Sequence, residues 1–211
     1  MEVAFVKVKI KIILFLMFLS LLISNVSSTY SRYVSQANGN ITTDFAKWQI
    51  FVDNTNISEN YDTSLTFTPN IDYNENVANG KMAPGSTGYF DIEINAENVD
   101  VSFTYNISLS DATDTDVKDI KITEYAVLSE EELANNSITT IPYNGTNIEN
   151  NVIYSNPDDL KKFIVRVYFV WDESENSTMS DIDDTSIGTK AANGEEIDFN
   201  LVANINFRQY I

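Results

Sequence analysis

From residue 99 to residue 109 apolar and polar side chains alternate without a break: Val99, Val101, Phe103, Tyr105, Ile107 and Leu109 are interleaved with Asp100, Ser102, Thr104, Asn106 and Ser108. A period of two places one set on one face of an extended strand, so this stretch reads as a β-strand with one buried face. The same period recurs at Trp48, Ile50 and Val52, giving a strand over 45–53, and at Phe90, Ile92 and Ile94, giving one over 89–95. Leu65 and Phe67 suggest a short strand before Pro69, 120–128 reads as another, and Ile197, Phe199, Leu201, Ala203, Ile205 and Phe207 close the chain with a last one. Phe163, Val165, Val167, Phe169 and Trp171 face Ile164, Arg166, Tyr168 and Val170 across a strand that is largely apolar on both sides, which places it centrally.

The connections carry turn and cap chemistry. Ala83-Pro84-Gly85-Ser86-Thr87-Gly88 is a turn cluster, and 96–98 is expected to join the strands on either side of it as a hairpin. Ser129-Glu130-Glu131-Glu132 has the spacing of a helix capping box. Asn156-Pro157-Asp158-Asp159-Leu160 suggests a brief helix with Pro157 in its first position. No helical period is sustained, so the expected fold is all-β: a two-sheet antiparallel sandwich of jelly-roll type over residues 44–211, with short helical turns in its connections.

Residues 1–28 read as an export signal. Lys7, Lys9 and Lys11 precede an apolar run over 12–23, and Val26-Ser27-Ser28 offers small residues for cleavage. The run of about a dozen residues is short of the roughly 20 needed to cross a bilayer, which favours removal over a retained anchor, with no stable membrane insertion afterwards. Residues 29–43 form a polar arm whose large apolar groups are Tyr30, Tyr33, Val34 and Ile41.

Removing Lys7, Lys9, Lys11 and Glu2 takes 31 acidic and 13 basic residues to 30 and 10, a net charge of −20. Such a charge repels nucleic acid and anionic lipid, and nucleic-acid binding is set aside. The chain has no cysteine, so an exported domain must be held by its core alone. Without histidine or cysteine it has no Ser-His-Asp triad, no thiol nucleophile and no zinc site of the usual kind, and the expectation is a protein that is not an enzyme.

Thr29-Tyr30-Ser31-Arg32-Tyr33 after the apolar run, Ala46-Lys47-Trp48-Gln49-Ile50, Met82-Ala83-Pro84-Gly85-Ser86-Thr87-Gly88, the strand 101–108, Trp171 and the later Asp181-Ile182-Asp183-Asp184-Thr185-Ser186-Ile187-Gly188 occur in that order. Together they resemble the TasA/camelysin-like secreted proteins of Gram-positive bacteria, exported with signal peptides of the type processed by the SipW signal peptidase. The resemblance implies a jelly-roll subunit of the cell exterior that assembles into fibres or matrix, in some members by donating an N-terminal strand to the next subunit. The Asn-rich stretch 135–151 matches nothing in that pattern.

The leading expectation is therefore a secreted matrix, surface-layer or fibre protein. Its partners are further copies or related matrix proteins, and its arm pairs with an open sheet edge of a neighbour. The alternative is a monomeric extracellular module that binds carbohydrate or a surface protein. In that reading Asp181, Asp183 and Asp184, with Asp172 and Glu173 upstream, supply oxygen ligands to Ca²⁺. Asp111, Asp114 and Asp116 form a second acidic cluster. A carboxylate hydrolase ranks third, since no particular pair of acids stands out. Trp48 and Trp171 have the chemistry of sugar-stacking platforms, but their place on apolar strand faces favours the core.

Overall fold

The computed structural model describes residues 13–21, 44–58, 65–111, 115–174, 177–197 and 201–211. Residues 1–45 and 46–211 form separate compact units. In the first, residues 13–21 are helical (α1) and every one is exposed. No helix among the described residues is long and apolar enough to cross a membrane.

The second unit is all-β. Its strands are β1 (Trp48–Val52), β2 (Thr55–Asn56), β3 (Asn70–Ile71), β4 (Thr87–Val99), β5 (Phe103–Asp111), β6 (Ile120–Leu128), β7 (Ile141–Pro142), β8 (Ile148–Val152), β9 (Lys162–Trp171) and β10 (Leu201–Gln209). Two helices join them, α2 (Glu130–Ala134) and α3 (Asp181–Ala192). One sheet runs β2-β1-β4-β9-β6-β7 with β3 against β4, and the other runs β10-β5-β8; every pairing is antiparallel.

The inward faces of both sheets meet in one core. Ile92, Ile94, Val165, Val167 and Phe169 come from the larger sheet, Phe103, Tyr105 and Ile107 from the smaller. The Tyr105 and Phe163 rings touch across the gap with centroids 4.9 Å apart. Burial of the Tyr105 hydroxyl pushes its pKa up to about 12. Strand β9 lies between β4 and β6, as its two apolar faces require. Its outer face is closed by Arg166, whose guanidinium donates to both Asp91 oxygens at 2.8 Å and lies 3.9 Å from the Tyr89 ring centre. Helix α2 packs on β6 and β9 over the same face, where Ala126 and Leu128 are buried outside the central core.

Several local expectations change. The strand read over 89–95 extends to Val99, and no hairpin forms at 96–98. There Ile50 of β1 faces both Ala96 and Glu97, a bulge that shifts the alternation by one residue and turns Val99 inward. The chain then crosses to the other sheet, so Val99 and Phe103 are both buried but in different sheets. Residues 65–69 have no regular structure, and the short strand follows Pro69 as β3. Residues 156–160 form a turn in which the Asn156 side chain accepts from the Asp158 N–H, an Asx turn that competes with helix initiation. Trp48 is not a core residue: it is 36% exposed and meets Phe103 edge-on. Trp171 is in the core, with its Nε1–H unpaired among the described residues. The capping box at Ser129 forms as read, with the Ser129 side chain accepting from the Glu132 N–H and the Glu132 carboxylate accepting from the Ser129 N–H.

Candidate functional site

Strand β10 pairs with β5 along nine rungs, from Leu201 opposite Asp111 to Gln209 opposite Phe103. Among the described residues nothing pairs with its other edge. Most of the other outer strands are poor templates, since β2, β3 and β7 have two residues each and β7 includes Pro142, which has no N–H to offer. The inward side chains of β10, Leu201, Ala203, Ile205 and Phe207, are only half-buried, whereas Tyr105 and Ile107 beside them are fully buried. The core is thus left partly uncovered along this edge.

A groove of about 610 Å³ follows the edge, floored by Trp48, Ile50, Leu65, Ile205 and Phe207. Lys47 and Arg208 line it, and among the described residues no carboxylate does. Arg208 also pairs with Glu149 at 3.2 Å. A strip of unpaired main chain above an apolar floor is chemically suited to adding one more strand.

A second groove, also of about 610 Å³, lies against α2 on the outer face of the larger sheet, between Phe51, Leu133 and Ile164, with Glu93, Glu130 and Lys162 at its rim.

The segment 181–188, expected as an acidic loop, is the first part of helix α3. Ser180 caps it, its hydroxyl accepting from the Asp183 N–H while the Asp183 carboxylate accepts from the Ser180 N–H. These bonds hold the Asp183 carboxyl below its ordinary pKa. Asp184 lies one residue on, with Oδ1 buried and unpaired among the described residues. Burial first, then the charges of Asp119, Asp181 and Asp183, push its pKa up. Asp119 is 3% exposed, and burial works to raise its pKa too. Hydrogen bonds from the Thr178 N–H and hydroxyl and the Met179 N–H, at 2.6–2.9 Å, outweigh that and hold it down.

Asp172 pairs with Lys121, and Glu173 lies against Gly85. Asp116 pairs with Lys190 at 2.7 Å, while Asp114 and the side chain of Asp111 lie outside the described residues. Among the described residues no three carboxylates converge in a group that could hold a metal ion, and Asp181, Asp183 and Asp184 lie in the first turn of α3.

Tyr30, Tyr33, Val34 and Ile41 of the arm lie outside the described residues. The β10 edge was not readable in advance. Alternation marks Leu201–Gln209 as a strand, but which strands end up without a neighbour is a property of sheet order.

Comparison with known protein families, characterised proteins and solved structures returns no match.

Proposed function

We propose that this chain is an exported structural subunit of the bacterial cell exterior, which builds fibres, a surface layer or matrix by strand addition at the open edge of β10. The observation that carries the reading is that edge: a nine-residue strand whose outward main-chain groups have no partner strand among the described residues, beside a groove with an apolar floor. Residues 29–43 of a neighbouring copy supply the strand, which turns either Tyr30 and Val34 or Tyr33 and Ile41, on its opposite faces, toward the floor. The lengths agree. The edge spans about 30 Å at ~3.4 Å per residue, and the 15-residue arm reaches about 50 Å when extended. The arm carries Arg32 and no carboxylate, so it approaches an acidic domain without repulsion. Because arm and edge are different surfaces, the contact is heterologous and propagates into a filament.

The larger sheet holds seven strands and the smaller, β10-β5-β8, three, so a donated strand beside β10 brings the smaller sheet to four, in keeping with a jelly-roll subunit.

The test is deletion of residues 29–43. The reading requires a folded monomer that no longer polymerises and that binds a synthetic 29–43 peptide; fibres that persist after the deletion overturn it. A second reading, a monomeric module, draws on the groove against α2 and is favoured if the intact exported chain stays monomeric and a soluble ligand competes at Phe51 and Ile164.

A further inference from the structure

Between β7 and β8 the chain runs Asn144-Gly145-Thr146 across an exposed turn. The Asn144 side-chain oxygen accepts two hydrogen bonds, from the Thr146 N–H at 3.1 Å and from the Thr146 hydroxyl at 2.6 Å. Both donors polarise the Asn144 Cγ=Oδ1 bond and point at the oxygen that gains negative charge when Cγ is attacked, a small oxyanion site built from one residue. The next residue is a glycine with φ +83°, and a Cβ there would meet nothing within 4 Å, so no neighbouring group crowds the turn on that side. Among the described residues nothing accepts from the Gly145 N–H.

We propose that Asn144 is a self-modification site, where the chain converts its own asparagine to aspartate and isoaspartate through a cyclic imide. This inference is independent of the assembly reading. The Gly145 nitrogen loses its proton to solvent base and bonds to Asn144 Cγ. The Cγ–Nδ2 bond breaks, and the side-chain nitrogen leaves as ammonia with a proton taken from water. Water then opens the five-membered ring at either carbonyl, so one water is consumed, one ammonia is released and no electrons change hands. Each event adds a negative charge, and the isoaspartyl product carries the backbone through the former side chain at this turn.

The two other Asn-Gly pairs among the described residues lack this arrangement. Asn193 caps α3, and the Gly194 N–H is held by the Ala191 carbonyl at 3.1 Å, which occupies the attacking nitrogen. Asn79 has an open Gly80 after it, at φ +70°, but nothing among the described residues donates to its side-chain oxygen. The expected order of reaction is Asn144, then Asn79, then Asn193.

The experiment is incubation of the purified chain at mildly alkaline pH, followed by peptide mass spectrometry and enzymatic methyl transfer to isoaspartate. A Thr146→Val variant keeps the branched shape and removes one donor; circular dichroism checks that it folds. The expected result is that Asn144 reacts first in the native chain and several-fold more slowly in Thr146→Val, with Asn79 and Asn193 unchanged. A merely looser turn would speed the reaction instead. Asn79 or Asn193 reacting first, or a Thr146→Val variant that loses Asn144 as fast or faster, overturns the proposal.

Discussion

Gly88 sits in β4 with β3 on one side and β9 on the other, opposite Ile71 and Phe169. A Cβ there would lie 2.5 Å from the Asn70 carbonyl oxygen, 2.9 Å from Phe169 Cζ and 3.3 Å from Ile71 Cα. Two of those atoms are backbone, so in Gly88→Ala strand β3 must move away by about 1 Å to restore ordinary contact. Over-packing of this kind costs about 3 kcal/mol at the upper end of its range. The retreat of β3 also strains the Asp72 N–H to Thr87 carbonyl bond of 2.9 Å, a further loss of about 1 kcal/mol. Replacing glycine in a strand returns about 0.5–1 kcal/mol of backbone entropy, leaving a net destabilisation of about 3 kcal/mol. For a domain of this size that corresponds to roughly 6–12 °C in Tm. Thermal and urea unfolding followed by circular dichroism measure it, and the urea slope should stay unchanged because the folded state remains compact. A Gly88→Ala protein that melts within about 1 °C of the native chain would refute the account of how β3, β4 and β9 pack.

Other perturbations test other parts of the structure. Gly188→Ala, inside α3 where a Cβ meets nothing, should stabilise by about 0.5–1 kcal/mol, a sign opposite to Gly88→Ala that paired melting curves read directly. Asp91→Ala leaves the Arg166 guanidinium over Tyr89 without its counter-charge and should cost about 3 kcal/mol, whereas adding Arg166→Met should restore part of the loss in a double-mutant cycle. Asp184 has its folded-state pKa raised, so its contribution to stability is fully present below the ordinary value of 3.8 and is lost as pH rises through the higher folded value. Asp184→Asn should therefore raise Tm at pH 7, with the gain over the native chain vanishing below about pH 4; a gain that is constant across pH would contradict the stated cause.

Legibility followed the range of the interactions. The capping box at Ser129, the limits of β6 and the central place of β9 were readable because each rests on residues close together in the chain or on one strand's two faces. The hairpin expected at 96–98 failed because the alternation over 99–109 looks like one strand, while the bulge opposite Ile50 and the switch of sheet are decided by where β1 lies. Helix α3 was hidden by Thr185, Ser186 and Gly188, weak helix formers; the cue available was Ser180 with Asp183 three residues on, the same reciprocal cap as at Ser129. That the acidic residues at 181–184 open a helix rather than a loop was not visible in composition, which does not register a reciprocal cap. The β10 edge, the centre of the functional reading, depends on sheet order alone, and no local pattern encodes it.

The measurement that bears most directly on that reading is electron microscopy with light scattering of the purified chain beginning at residue 29, at neutral and at mildly acidic pH, where the self-repulsion of its net charge is reduced. Fibres or regular arrays, gained more readily as the pH falls, are the predicted result; a monodisperse monomer at every pH would contradict strand addition at β10.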